Sequence, residues 1–161
     1  IGHIGLAIFV LGVAGISLWQ EKQIRFMKEG DEALIAGREI ILNKISEVAE
    51  ANYITEKSFF TAIDDKGREK RLIAERRYYP VRRMQTTEAA IHRYGVSDLS
   101  ISVGERATED GWPVTLYYNP FVILLWIGGG VTALGGFIAA FYARPKTVKK
   151  AVEGDSLYEP V

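Results

Sequence analysis

Residues 1–19 read IGHIGLAIFVLGVAGISLW, nineteen residues without a fixed charge and with one imidazole, His3, near the start. As a helix rising about 1.5 Å per residue, the run would be roughly 28 Å long, close to the hydrocarbon thickness of a bilayer. We read it as a membrane span. With Trp19 at one interface, His3 lies about 24 Å along the axis, inside the span or near the opposite headgroups. A titratable group at that depth is a functional-site candidate by default.

Helical geometry adds detail. At about 100° per residue, His3, Ala7, Val10, Ala14 and Ser17 fall in one narrow stripe, and Gly2, Gly5, Gly12 and Gly15 occupy roughly the opposite face. The glycine face suits close packing of another helix. The alanine and serine stripe leaves a shallow trough running from the imidazole, with room for something flat. Two readings stay open here. His3 is an axial ligand to the iron of a planar macrocycle lying in the trough, or it donates one hydrogen bond to a neighbouring helix.

The chain has 161 residues and zero formal net charge, with 20 Lys and Arg against 20 Asp and Glu. All of these charges lie outside two apolar runs, so the chain is a mosaic of lipid-compatible and water-compatible blocks. The absence of cysteine excludes disulfides, thiolate metal sites and cysteine nucleophiles within the chain. No basic stretch precedes the first run, which is longer than the apolar core of a secretory signal. It starts at isoleucine, so we expect a chain that begins partway through a longer polypeptide or after processing.

Between the apolar runs, residues 20–118 form a polar block of short β-like segments. Residues 22–27 leave the membrane, and Glu29-Gly30-Asp31 makes a turn. Residues 38–48 fit helix or buried strand, and their β-branched content favours strand. Residues 57–63 and 70–79 read as a hairpin around Asp64-Asp65-Lys66-Gly67. Residues 86–92 read as one or two helical turns, capped by threonine, with Glu88 near the positive end. Leu99, Ile101 and Val103 alternate with serines, and Trp112, Val114, Leu116 and Tyr118 alternate likewise, as half-buried strands do. The fold class expected is a membrane protein of α+β type, two transmembrane helices flanking a small antiparallel β domain, either an OB-like barrel or a sandwich.

Residues 119–143 hold the second span, whose 22 residues 121–142 carry no charge and have tyrosines at both ends. Gly129/Ala133, Thr132/Gly136 and Gly136/Ala140 are spaced for close helix packing. The tail, residues 144–161, opens with Arg144, Lys146, Lys149 and Lys150, which by the positive-inside bias makes it cytoplasmic. The β block then faces the periplasm or its equivalent.

His92, the second histidine, reads as a surface residue of a turn and is too far along the chain to share a metal with His3. Arg68, Lys70, Arg71, Arg76, Arg77, Arg82 and Arg83 form a basic stretch with Tyr78 and Tyr79. No nucleic-acid partner is expected of an extracytoplasmic block diluted by Glu69 and Glu75. The arginines clamp the propionates of a haem or an acidic peptide, or they form the solvated face of a hairpin. Asp64/Asp65 and Glu109/Asp110 read as turn chemistry. No nucleophile elbow, phosphate loop or metal-ligand run is present, and we expect no activity from this chain alone.

The segments GHIGLAIFVLGVAGIS, EKQIRFMKEGD, NYITEKSFFTAID, RRYYPVRRMQTTEAAIHR and VTLYYNPFVILLWIGGGVTALGG together resemble the C-terminal part of the CcmF family, over residues 1 to 143. The resemblance implies part of a cytochrome c haem lyase of the bacterial or mitochondrial inner membrane. Such an enzyme takes haem from the chaperone CcmE and joins it to apocytochrome c, with a CcmH-type subunit as partner. It also implies a membrane haem b held between two histidines, one of which His3 matches. The WWD segment, two periplasmic histidines and the other haem ligand would precede Ile1, in the remainder of the CcmF-like protein. A non-catalytic, membrane-anchored interaction module is the alternative.

Overall fold

The computed structural model describes residues 1–106 and 109–142, so the basic tail of residues 144–161 and two residues of the loop before Trp112 lie outside the described residues. Helix α1 (Gly2–Trp19) leads into strands β1 (Glu21–Met27), β2 (Glu32–Ile35), β3 (Arg38–Ala49), β4 (Ile54–Ile63), β5 (Glu69–Tyr79), β6 (Met84–Glu88), β7 (Ala90–Tyr94), β8 (Ser97–Val103) and β9 (Trp112–Asn119). Helix α2 (Val122–Tyr142) follows. The strands form two antiparallel sheets, ordered β1-β9-β8-β7 and β2-β3-β4-β5-β6. Two separate sheets make a sandwich, which decides between the two expected architectures.

Alternation builds the core. Leu99, Ile101 and Val103 of β8 and Val114 and Leu116 of β9 point inward from the first sheet, and Ile40, Leu42, Phe60, Ala62, Leu72 and Ala74 meet them from the second. Each large buried side chain contributes roughly 1.5–3 kcal/mol by leaving water. The hairpin expected at residues 57–79 forms, with Phe60 opposite Leu72 and Ile63 opposite Glu69. Residues 38–48 are strand, with a bulge between Leu42 and Lys44.

The helical reading of residues 86–92 is corrected. Thr86 and Thr87 pair with Arg77 and Arg76 as part of β6, and His92 pairs with Leu99 in β7. A strand partner on each side of residue 89 offers the backbone ladder bonds, and the chain crosses there from one sheet to the other. The threonines, which favour strand at χ1, go with it.

The two helices pack antiparallel along the glycine face of α1. A Cβ at Gly5 would lie 2.6 Å from Thr132 Oγ1, at Gly12 2.9 Å from Leu125 N, and at Gly15 2.7 Å from the Phe121 ring. On α2 the contact row is Gly128, Thr132 and Gly135, whereas Gly129 and Gly136 have open space around them. Of the small-residue pairs expected to pack, only Thr132 therefore lies in this seam. First and last strands pair from Glu21↔Tyr118 to Met27↔Trp112, so each helix runs on into a strand of one ladder. Gln20 Nε2 donates to Asn119 Oδ1 at 2.5 Å, and Trp19 meets Phe121 edge-on at 6.1 Å, across that junction.

Candidate functional site

His3 stands on α1 about half a turn from the glycine seam and is exposed, as are Ala7, Val10 and Ser17 of the same stripe, with Ala14 half-buried. Among the described residues, α2 offers it no hydrogen bond, so the neighbouring-helix alternative is not realised with this partner. His3 lies at the end of α1 remote from the sandwich, and His92 lies within the sandwich. The two imidazoles cannot share an iron. Around the trough the outer surface of both helices is apolar and uncovered, with Leu6, Leu11, Trp126, Leu134 and Phe137 each more than half exposed. Both helices are long and apolar enough to cross a membrane.

His92 is not a turn residue. In β7 it sits half-buried beside Tyr94, ring centroids 4.7 Å apart and nearly perpendicular. Burial, and then the charge of Lys70, push its imidazole below the usual range. It borders a shallow polar depression with Asp64, Arg68, Lys70 and Arg93. Asp64 is the anchor of that turn. Its Oδ1 accepts from the backbone N–H groups of Lys66 and Arg68, both at 2.9 Å, and its Oδ2 accepts from Arg68 Nε at 2.7 Å. The Arg68 side chain foremost, then those N–H groups, lower the carboxyl to about 2.

Five arginines of the basic stretch fall into two sets. Arg76 pairs with Glu56 at 3.3 Å and Glu105 at 3.6 Å, and Arg77 pairs with Glu75 at 2.8 Å and Glu88 at 2.5 Å. With Arg68 on Asp64, these arginines are spent inside the domain. Arg82 and Arg83 stand exposed on the turn after β5, without an acidic partner among the described residues.

Two groupings were not read from the sequence. Arg38, on β3, places its guanidinium 4.5 Å from the Tyr94 ring and 4.8 Å from the Tyr118 ring, joining the second sheet to the first at the helix end. Tyr53 and Tyr79 meet at 5.4 Å at the other end, with Arg77 5.1 Å from the Tyr53 ring. Both depend on partners distant in sequence, and only the inward tyrosine of β9 hinted at the first. Among the described residues, no three His, Asp or Glu side chains gather as a metal would require.

The family model of the CcmF C-terminal beta-sandwich matches residues 18–120. Cytochrome c-type biogenesis protein CcmF of Haemophilus influenzae is 36% identical over 145 residues, covering 89% of this chain and 22% of the relative. The Escherichia coli protein of the same name is 35% identical over 143 residues, 88% of this chain and 22% of the relative. Cytochrome c-type biogenesis protein CycK of Bradyrhizobium diazoefficiens is 30% identical over 139 residues, 86% and 21%. The chain thus spans about a fifth of the length of the curated relatives it matches. Among solved structures, cytochrome c heme lyase CcmF shares the fold, with a TM-score of 0.64 at 17% identity over 84% of this chain and 23% of that one. With its paired sheets held between two apolar helices and more than half its length matched, the chain belongs to the CcmF family and corresponds to its C-terminal β-sandwich region.

Proposed function

We propose that this chain is the C-terminal part of a cytochrome c haem lyase of the bacterial or mitochondrial inner membrane, and that His3 supplies one axial ligand to a membrane haem b. The observation that carries the reading is the direction of the imidazole. It leaves α1 away from the α1–α2 seam, beside small side chains, with no hydrogen-bond partner among the described residues. Such a donor set fits half of an axial pair: one imidazole, a stripe of small, exposed side chains beside it, and no acidic residue on either helix. When bound, haem supplies one-electron transfer, with a potential tuned by axial ligation and burial. The remaining ligand then belongs to the rest of the CcmF-like protein, because His92 is in the sandwich.

The same reading assigns the other parts. α1 and α2 cross the bilayer in contact with lipid, and the sandwich lies on the periplasmic or intermembrane side, where a CcmE-type haem chaperone, a CcmH-type subunit and apocytochrome c are met. Thioether formation consumes thiols of the apocytochrome, which agrees with a chain that has none. Residues 1–161 contribute a ligand and a docking module, and activity requires the complete complex.

In that complex, His3→Ala should abolish the bis-imidazole haem spectrum, and added imidazole should restore it. An unchanged spectrum overturns the assignment. A colourless complex that still depends on the sandwich for assembly leaves the non-catalytic module instead. Protease added to the cytoplasmic face of sealed vesicles should spare residues 21–118, and cleavage there overturns the topology.

A further inference from the structure

The second sheet outgrows the first. Strands β3, β4 and β5 run 12, 10 and 11 residues, against 7 and 8 for β8 and β9, and the buried apolar residues they contribute stop at Leu42, Phe60 and Ala74, with Ser58 and Thr55 buried further along β4. Beyond those apolar residues the three strands continue, farther from the helices, to the turns that join β3 to β4 and β5 to β6. Between these turns, at residues 50–53 and 80–83, lies an open groove of about 670 Å³, a volume in the range of ligand and peptide sites.

Tyr53 and Tyr79 floor the groove, and Ile54 and Met84 flank them. At the rim Val81 is 95% exposed, and Arg82 stands next to it. Arg77 beneath is neutralised by Glu75 and Glu88, so the positive charge at this end is that of Arg82, which lines the groove, and of Arg83, the next residue of the same exposed turn. Glu50 is the one carboxylate that lines the groove among the described residues. Alongside runs β6, which has a ladder partner on one side only. Its sequence MQTTE holds neither lysine nor proline, the residues by which exposed edges are commonly blocked.

We propose that this groove and the β6 edge are a docking site for an extended acidic segment of a partner protein. The segment adds a strand to β6, sets one apolar or aromatic side chain over Tyr53 and Tyr79, and places flanking carboxylates on Arg82 and Arg83. Backbone pairing supplies strength, and the two guanidiniums supply the sign preference. The site uses no residue of the haem reading and stands or falls apart from it.

The chain in detergent micelles is titrated with a dye-labelled nonapeptide, acetyl-DEVTFTVDE-amide, and with its counterpart KKVTFTVKK. The acidic peptide should bind with new amide-exchange protection confined to residues 84–88. R82E/R83E should weaken it about tenfold or more and favour the lysine peptide, whereas R82K/R83K should retain binding, since each reversal replaces an attraction by a repulsion. An intact His3-dependent spectrum in R82E/R83E keeps the two readings separate. Equal affinity for both peptides, protection elsewhere, or no peptide binding together with self-association lost in R82E/R83E, which would mark a second copy as occupant, overturns the proposal.

Discussion

Adding one methyl group at Gly5 should separate the two helices. The new carbon would meet the Thr132 backbone nitrogen first and lie 2.6 Å from Thr132 Oγ1 and 2.9 Å from Gly128 O, and two of those three neighbours are backbone. Thr132 cannot swing away freely, because its hydroxyl donates to the Gly128 carbonyl at 2.8 Å. Relief to ordinary contact therefore requires the helices to part by roughly 0.5–1 Å, and overpacking of this kind costs about 1–3 kcal/mol. For a chain of this size that corresponds to a fall in melting temperature of roughly 3–10 °C. Gly129→Ala is the matched control, since a Cβ there meets nothing within 4 Å. Helix propensity should make the control neutral or slightly stabilising. The assay is thermal unfolding of both variants in the same detergent. A Gly5→Ala melt within about 1 °C of the parent, or an equal loss in Gly129→Ala, would refute the seam.

Two further predictions concern the helix end of the sandwich. Arg38→Ala should cost about 2 kcal/mol, the sum of two partly desolvated cation–π contacts, and Arg38→Lys should recover less than half because an ammonium cannot stack flat between two rings; urea unfolding followed by near-ultraviolet dichroism checks both. Asp64 is lowered to about 2 in the folded chain from an ordinary value near 3.8, so its contribution is present above pH 4 and is lost as pH falls from about 4 towards 2. Asp64→Asn should flatten that acid limb of a melting-temperature profile while leaving its slope above pH 5 unchanged.

What could be read from the chain followed from periodicity. The alternation in β8 and β9, the Asp-Gly turn of the β4–β5 hairpin and both apolar helices arise from local patterns that survive folding unchanged. Residues 86–92 misled because Thr86 resembles a helix cap when seen alone, and only the neighbouring β5 strand supplies the ladder that outweighs it. His92 misled for the same reason, since a residue's face in a strand depends on register, and register depends on Leu99 opposite. On α2, sequence offered several equivalent small-residue rows. The choice of Gly128, Thr132 and Gly135 was made by the glycine spacing of the other helix. Arg38 between Tyr94 and Tyr118, and the groove floored by Tyr53 and Tyr79, join residues that no local pattern relates.

The junction between helices and sandwich explains why the direction of His3 is a property of the whole domain. α1 passes into β1 through one extended residue, Gln20, at φ −66° and ψ 130°, and α2 follows β9 through Pro120 and Phe121, the latter at φ 58°. Neither connection is long enough to let a helix turn about its own axis while the strands stay paired. Rotation of α1 would also drive the backbone of Gly5 and Gly12 away from Thr132 and Leu125, exchanging glycine for bulkier side chains in the seam. A one-residue slip of β1 against β9 would bring Ile24 and Phe26 into the places of Arg25 and Met27 and turn Met27 out of the core. Sheet register and glycine spacing therefore fix the same angle independently. An imidazole roughly 24 Å up the helix is held in one azimuth by contacts it does not make itself.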